Sequence, residues 1–130
     1  MVVVTGNPSN RLLSLWAPVA GCMGLIFYAS SLPAKNIPSL FPHEDILFHG
    51  LVYAILALFF YRALKNSNSR FKRRGLIFCT VLFGLFYGMT DEFHQLFTPG
   101  RSCSGFDLII DTIGSLGGGI IGGLLHKWLK

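Results

Sequence analysis

The chain alternates four long apolar segments with short polar ones. An α-helix rises about 1.5 Å per residue, so about 20 apolar residues cross the roughly 30 Å hydrocarbon core of a membrane. Each segment reaches or approaches that length. The pattern predicts an all-α fold, a small four-helix transmembrane bundle that forms one domain over residues 1–130. The predicted spans lie at about residues 12–32, 46–64, 75–95 and 107–126.

The polar connections between the apolar segments have distinct compositions. Pro33–Asp45 contains three prolines, and Phe97–Phe106 contains Pro99 and Gly100. Proline and glycine at this density indicate irregular structure. The connection Lys65–Arg74 is polar and basic instead. These features place loops between consecutive helices.

The first apolar segment has two interpretations. Met1–Asn10 is a short, mixed tail, and Arg11 precedes the uncharged run. A signal peptide would use Arg11 as its basic flank, with Val19–Cys22 as a loose lipobox whose cysteine is lipidated. Because Met23–Ala29 stays apolar instead of becoming a polar tether, an uncleaved transmembrane helix is the favoured interpretation.

Composition and charge place the chain among integral membrane proteins. Hydrophobic residues make up 52% of the chain and charged residues 13%, whereas a small soluble domain needs more polar residues to cover its surface. The net charge of +5 lies in the connections between apolar segments, which argues against nucleic acid as a partner. The three cysteines lack a CxxC spacing, so no disulfide framework is expected.

Basic residues predict the orientation of the helices. Cytoplasmic connections of membrane proteins carry an excess of lysine and arginine. Only Lys35 and Arg101 fall on one side of the predicted bundle, and the other lysines and arginines fall on the opposite, basic side. Both termini and the middle connection lie on the basic side and are therefore expected in the cytoplasm. Every acid then belongs to the outer half. The basic side carries Arg11, Arg62, Lys65, Arg70, Lys72, Arg73, Arg74, Lys127 and Lys130.

Small residues recur every four positions on the third and fourth predicted helices. Such rows let helix backbones approach closely, as in glycine-zipper packing between membrane helices. Asp107 and Asp111 continue one row and Glu92 another, so these acids are predicted to point into the bundle. A second glycine face, at positions 119 and 123, is a candidate surface for self-association. The rows are Gly114, Gly118 and Gly122; Ser115, Gly119 and Gly123; and Gly84 and Gly88.

A polar pocket is predicted where these rows reach the outer membrane surface. An ionised acid at membrane depth is costly unless it is paired or reaches water, so the acids require partners. Asp45, His49 and Tyr53 share one face of the second helix because they are spaced by four residues. The candidate ligand-binding residues are His49, Tyr53, Asp91, Glu92, Gln95, Arg101, Asp107 and Asp111.

The order of several of these residues resembles the VanZ-like family of membrane proteins. The matching run is Asp91-Glu92-x-x-Gln95, then Pro99-Gly100-Arg101, then Asp107, then Gly114 with further glycines. The family's other recurrent motif is similar to the segment with Asp45, His49 and Tyr53. The resemblance covers roughly residues 45–122, which is most of the chain.

The resemblance implies a multi-pass protein of the bacterial cytoplasmic membrane with a tie to the cell envelope, and it supplies no reaction. The founding member of the family is associated with reduced susceptibility to the glycopeptide teicoplanin. Ile46 stands where a lysine is expected in the family, and Asp111 stands where asparagine is common. Both departures make the charge of the predicted pocket more negative.

Three functions remain open for the predicted pocket. The first is binding of an anionic lipid or a cell-wall-related ligand, with the planar guanidinium of Arg101 as the partner of a phosphate or carboxylate. The second is a membrane enzyme that processes a lipid-linked substrate, with Glu92 or Asp107 as general base. The third is a structural clasp between the third and fourth helices, in which Arg101 satisfies Glu92 or Asp107.

The expected partners are membrane lipids, with a lipid-linked cell-wall precursor or a glycopeptide as further candidates. No cofactor is expected, and the sequence does not determine the oligomeric state. A metal site is not predicted either, because no HExxH or similar ligand spacing occurs. The side chains considered for such a site are His49, Glu92, His94, Asp107 and Asp111.

Overall fold

Four long helices account for most of the molecule. The computed structural model describes residues 7–67 and 70–130, so the predicted tail before Asn7 and the centre of the predicted basic connection lie outside the described residues. A short 3₁₀ turn, Ala34–Asn36, lies between the first two helices. The helices are α1 (Pro8–Ser30), α2 (Glu44–Ser67), α3 (Arg73–Gln95) and α4 (Gly105–Leu124).

All four helices are long and apolar enough to cross a membrane. In the described ranges the structure contains no strand. Large apolar side chains point away from the bundle; Leu13 is 69% exposed and Phe78 is 63% exposed. A continuous apolar exterior of this kind suits lipid rather than water. The chain is therefore an all-helical, multi-pass membrane protein, as the hydropathy pattern predicts.

All four helices begin two to four residues before the predicted spans, whereas α1 and α4 also end two residues before them. α1 begins at Pro8, where the side chain of Asn7 accepts a hydrogen bond from the Ser9 amide at 3.2 Å. It then continues through Pro18 to its end at Ser30. α2 continues to Ser67, because polar residues can prolong a helix that leaves the hydrocarbon. Hydropathy marks the apolar part of such a helix and misses its polar ends.

The packing of α4 on α2 depends on one row of glycines. A Cβ atom built on Gly114 would overlap the carbonyl oxygen of Gly50, and one built on Gly118 would overlap that of Ala54. At Gly122 the added atom would lie 2.7 Å from the ring of Tyr61. The two helix backbones therefore touch without intervening side chains, which is the close approach that the glycine spacing predicts.

The neighbouring row on α4 packs against α3. Gly84 of α3 leaves the space occupied by the Ser115 side chain, since a Cβ at Gly84 would overlap the Ser115 hydroxyl. A Cβ at Gly119 would lie 3.5 Å from Ile77 and 3.6 Å from Thr80. This second glycine face is covered by α3 within the chain, so it does not offer the self-association surface suggested by the sequence.

α1 lies on the other side of the bundle from α4. It packs against α2 and α3, and within the described residues it makes no contact with α4. Leu15, Val19 and Ile26 are its buried apolar residues. Near the middle of α1, the Tyr87 hydroxyl donates a hydrogen bond to the Met23 carbonyl at 2.6 Å. α1 is thus joined to α3 as well as to α2.

Consecutive helices run in opposite directions, and acidic and basic residues lie at different ends of the bundle. The ends of α1 and α3 and the starts of α2 and α4 form what we call the acid-rich end. The opposite end, which we call the basic end, holds the start of α1 and the last residues of the chain. Which end faces the cell exterior remains a prediction. The acid-rich end carries Glu44, Asp45, Asp91, Glu92, Asp107 and Asp111.

Candidate functional site

Four side chains from three helices converge at the acid-rich end. His49 comes from α2, Asp91 and Glu92 from α3, and Asp111 from α4. One potential ligand atom of each lies within 4.8 Å of those of the other three. The three acids are 5%, 3% and 0% exposed, respectively. We refer to these residues as the four-residue cluster.

Asp111 is the most deeply buried member of the cluster. Its Oδ1 atom lies 2.8 Å from Nδ1 of His49, and its Oδ2 atom has no hydrogen-bond partner among the described residues. Gly88 of α3 makes room for this carboxylate, because a Cβ on Gly88 would lie 3.2 Å from Oδ2. The small-residue rows therefore place a carboxylate between α3 and α4, where a larger neighbour would displace it.

Asp91 also contacts the end of α1. Its Oδ1 atom accepts a hydrogen bond from the Ser30 hydroxyl at the last residue of α1. The carbonyl oxygen of Ser30 in turn accepts a hydrogen bond from the Thr98 hydroxyl at 3.0 Å. The end of α1 is thereby held against α3, and Ser30 is a partner that no spacing in the sequence indicates.

Glu92 connects α3 to the beginning of α4. Its Oε2 atom accepts a hydrogen bond from the backbone amide of Ser104 at 2.7 Å, and Gln95 donates to Oε1 at 3.5 Å. Ser104 is also the N-terminal cap of α4, with its hydroxyl accepting from the Asp107 amide at 3.1 Å. A carboxylate beside a helix N-terminus is favourably placed, because the helix dipole and free amides attract negative charge.

Arg101 has different partners from those predicted. Its Nη2 atom donates to the carbonyl of Ala29 at 3.2 Å, and its Nε atom lies 3.4 Å from the carbonyl oxygen of Leu32. Within residues 7–67 and 70–130 it forms no ion pair with Glu92 or Asp107. The arginine binds the exposed carbonyls at the end of α1, which need donors as much as the acids do. The described structure therefore lacks the Arg101–carboxylate contact that the clasp hypothesis includes.

The turn that presents Arg101 has a specific backbone requirement. Gly100 has a φ of 77°, in the left-handed region that favours glycine. Its neighbour Pro99 accepts a hydrogen bond from the Ala34 amide at 3.2 Å, so the turn is attached to the connection between α1 and α2. This attachment brings Arg101 to the end of α1.

The remaining predicted residues lie around the cluster. Tyr53 is fully buried, and its hydroxyl has no hydrogen-bond partner in the described part of the chain. Asp107 is half-buried and does not belong to the four-residue cluster. His94, considered as a metal ligand, instead lies 2.9 Å from the Ser31 hydroxyl through Nε2 and stacks on Phe27.

A cavity of about 540 Å³ opens beside the cluster, between α1 and α2. Leu25, Ile26 and Val52 contribute to its apolar wall, and His49 and Tyr53 lie along its α2 side. Glu92, Asp107 and Asp111 do not line it. Neither candidate general base therefore faces this cavity. Its polar lining includes Glu44, Asp45, His49, Asp91, Gln95 and Arg101.

The structure brings together most of the predicted site residues in two neighbouring features, the four-residue cluster and the cavity. His49 and Asp91 belong both to the four-residue cluster and to the cavity lining, while Asp111 belongs to the cluster alone. Arg101 and Gln95 belong to the cavity lining alone. Chemically, the cluster offers carboxylates and an imidazole to a cation, and the cavity offers an apolar wall with a polar end to an amphiphile.

A comparison with known proteins agrees with the motif order. A family model described as VanZ/LLP1 matches residues 15–128, most of the chain, including the cluster and the cavity. Neither a curated protein nor a solved structure matches the chain. With the family model covering the four helices and both features of the acid-rich end, the chain belongs to the VanZ-like family.

Proposed function

We propose that this VanZ-like protein lies in the bacterial cytoplasmic membrane and binds an anionic lipid or a lipid-linked cell-wall precursor in the cavity at its acid-rich end. The observation that carries the proposal is the lining of the cavity, which combines an apolar wall with the polar side chains of Arg101 and Gln95. Its volume of about 540 Å³ suits a headgroup and the adjoining part of a chain. Longer acyl chains would continue along the lipid-facing surface.

Arg101 is the group best placed to hold a phosphate. A guanidinium has five N–H donors in a planar fork, and the two carbonyl contacts at the end of α1 leave donors for a ligand. Its charge has no carboxylate partner among the described residues, so an incoming phosphate does not compete with an ion pair. Charge-assisted bonds from arginine to phosphate are among the strongest hydrogen bonds available.

The acids in the cavity lining restrict which lipid headgroups the cavity can bind. Glu44, Asp45 and Asp91 line the same space as Arg101. A headgroup with a phosphate alone would be repelled by them, whereas one that also carries amine or hydroxyl donors would be bound at both places. The proposed ligand is therefore a phosphate-containing amphiphile with donors in its headgroup. The excess of basic residues at the opposite end favours an outward-facing cavity.

The test measures which lipids the protein retains. Full-length protein is exchanged into vesicles or nanodiscs that contain phosphatidylglycerol or phosphatidylethanolamine in a phosphatidylcholine background, and the bound lipid is counted by native mass spectrometry. An Arg101→Gln variant removes the charge but keeps amide donors for the carbonyls at the end of α1. We expect lipid retention to fall by about tenfold, as for loss of one charge-assisted contact of about 1.4 kcal/mol.

The matched control is Lys35→Ala, which removes a positive charge at the same end of the bundle. Lys35 is exposed and does not line the cavity. Lipid retention equal to that of the unmodified protein is expected for this variant. If Arg101→Gln retains lipid normally, or if both variants lose it equally, the proposed binding mode is wrong. Thermal unfolding of each variant shows whether the end of α1 stays in place.

Glycopeptide susceptibility is the cellular phenotype in which to look for this role. A teicoplanin-sensitive bacterium would express the unmodified protein, Arg101→Gln or Lys35→Ala at equal membrane abundance. Protection by the unmodified protein and Lys35→Ala, but not by Arg101→Gln, is the expected pattern. Lack of protection by all three, combined with normal lipid binding, would separate the binding function from glycopeptide susceptibility.

A structural role for Glu92 is supported independently by its contact with the Ser104 amide. This hydrogen bond joins α3 to the first turn of α4 and requires no ligand. Glu92 does not line the cavity, so its substitution by glutamine should leave lipid retention unchanged while weakening the connection between the helices. A loss of lipid retention in a stable Glu92→Gln protein would instead connect Glu92 to the ligand.

A further inference from the structure

We infer that the four-residue cluster is a binding site for one divalent transition-metal ion. Three carboxylates and one imidazole from three helices present a ligand atom each, all within 4.8 Å of one another. Ligands around a tetrahedral Zn²⁺ ion are roughly 3.3–3.6 Å apart, because each metal–ligand bond is about 2.0–2.2 Å long. The existing separations therefore require only small side-chain movements to surround an ion.

The second line of support is the unpartnered oxygen of Asp111. Asp111 is 0% exposed, and its Oδ2 atom has no hydrogen-bond partner in residues 7–67 and 70–130. Buried polar atoms almost always have a partner, so an orphaned carboxylate oxygen inside a group of metal-ligand side chains points to a ligand. Asn or Ser at this position would have met the packing requirements without leaving a charge unsatisfied.

The charge of the cluster leads to the same conclusion. Asp91, Glu92 and Asp111 are acids, and the facing side chain that can carry positive charge is His49. Arg101 forms no ion pair with them in the described structure and contacts the end of α1 instead. Several buried carboxylates with one imidazole are unfavourable unless protons or a cation neutralise them. A divalent cation cancels two negative charges at once.

The donor set indicates which class of ion is bound. Carboxylates bind Mg²⁺, Ca²⁺ and Mn²⁺, whereas imidazole favours Zn²⁺, Fe²⁺ and other transition metals. A set of three carboxylates and His49 suits Mn²⁺, Fe²⁺ or Zn²⁺ better than Mg²⁺ or Ca²⁺. His49 and Asp91 also line the cavity, which provides a route by which an ion reaches the cluster.

The test titrates the full-length protein with Mn²⁺. The protein is purified in detergent and treated with a chelator; free Mn²⁺ is then followed by electron paramagnetic resonance, with Zn²⁺ as competitor and Mg²⁺ and Ca²⁺ for comparison. One saturable ion per chain is expected, displaced by Zn²⁺ and poorly by Mg²⁺. Asp111→Asn is expected to weaken binding by more than about 100-fold, beyond the cost of losing an outer-shell partner.

Asp107→Asn is the matched control. It makes the same chemical change one turn earlier on α4, at an acid outside the four-residue cluster. Its effect on Mn²⁺ affinity should stay within about threefold, since only a partly screened charge is removed. Equal weakening by the two variants, or absence of saturable binding of Mn²⁺ and Zn²⁺ to the folded unmodified protein, would overturn the inference.

A second variant keeps the test decisive if Asp111→Asn does not fold. Glu92→Gln retains an oxygen that can accept from the Ser104 amide but removes a charged ligand. It should weaken Mn²⁺ binding while circular dichroism and elution behaviour stay unchanged. The metal site does not depend on the proposed lipid ligand. Mn²⁺ binding without lipid retention would support the site and reject the lipid, and the opposite result would do the reverse.

Discussion

Charged groups have different partners at the two ends of the bundle. At the basic end, Lys65 donates to the carbonyl oxygens of His126 and Leu129, the latter at 2.6 Å, and Arg62 donates to that of Lys130 at 2.9 Å. Each of these cations meets backbone carbonyls near the C-terminus of the chain. At the acid-rich end, carboxylates meet one another, and Asp111 keeps an unpartnered oxygen.

This difference fits the proposal that the basic end is structural and that the acid-rich end binds a ligand. Cations bound to helix-terminal carbonyls complete hydrogen bonds that the fold leaves open, and they stabilise the chain without a ligand. Clustered carboxylates reduce stability unless something neutralises them, so a fold that keeps them has another reason to do so. The four predictions that follow test this contrast.

The largest effect is expected where α4 packs directly on the backbone of α2. Gly114→Leu would force a side chain into the backbone carbonyl of Gly50. Overpacking against backbone cannot relax through a rotamer change, so we expect a loss of at least about 3 kcal/mol of stability and little folded protein. Thermal unfolding in detergent and size-exclusion elution provide the measurement.

Gly117→Leu is the control for this substitution. It lies on the same helix, but an added Cβ there meets nothing within 4 Å. This variant should fold with nearly unchanged stability, because its side chain points into lipid. If both leucine variants behaved alike, the close packing of α4 on α2 would not determine the register of the two ends.

The next largest effect is expected at Lys65. Lys65→Met keeps the aliphatic stem but removes both hydrogen bonds to the C-terminal carbonyls. We expect a loss of about 1–3 kcal/mol, as for part-buried acceptors that lose a charged donor. Thermal unfolding in detergent is the measurement. Lys127→Met removes a charge from an exposed neighbour and should have little effect; equal losses would show that net charge, not the contacts, matters at the basic end.

Asp111→Asn is expected to have a smaller effect of opposite sign at the acid-rich end. In chelator-treated protein it removes a buried charge while asparagine can still accept from His49, so stability should rise by about 1 kcal/mol. Metal-free thermal unfolding of this variant and of Asp107→Asn is the comparison. A clear loss of stability would mean that the Asp111 carboxylate is a stabilising clasp, and the contrast between the ends would fail.

Much of this architecture follows from the sequence, because hydropathy and small-residue spacing report on local requirements. The apolar runs predict the four helices, and the four-residue spacing of Gly114 and Gly118 predicts the face that α2 covers. The spacing from Gly84 to Glu92 likewise places that acid in the bundle, where it is buried. Backbone contact and burial of one helix face are periodic properties, and a periodic pattern reveals them.

The partners of the polar residues were harder to predict, because they depend on where helices end in space. Arg101 binds the last carbonyls of α1, a helix distant in sequence, instead of the acids nearest to it along the chain. Asp91 pairs with Ser30 for the same reason. The proposed metal-ligand set has no local spacing signature, since His49 and Asp111 lie on different helices. These residues lie near the same end of their helices, and this shared position was the signal that the sequence offered.

The smallest expected effect concerns pH and the basic end. Burial lowers the pKa of His126 below its ordinary value of 6.5, and the positive charges of Lys65 and Arg73 lower it further. The Tyr61 hydroxyl oxygen lies 2.7 Å from Nδ1 of His126, within hydrogen-bond distance. A group whose pKa is depressed by folding contributes stability that is present above its unfolded pKa and is lost as the pH falls through the folded value.

His126 should therefore contribute a loss of stability as the pH is lowered from about 8 to about 5, so the melting temperature of His126→Asn should rise relative to that of the unmodified protein over this range. His43→Asn is the control, because His43 is exposed at the other end and has a φ of 61°, which asparagine tolerates. If His126→Asn had the same pH profile as the control, His126 would not contribute to the acid sensitivity.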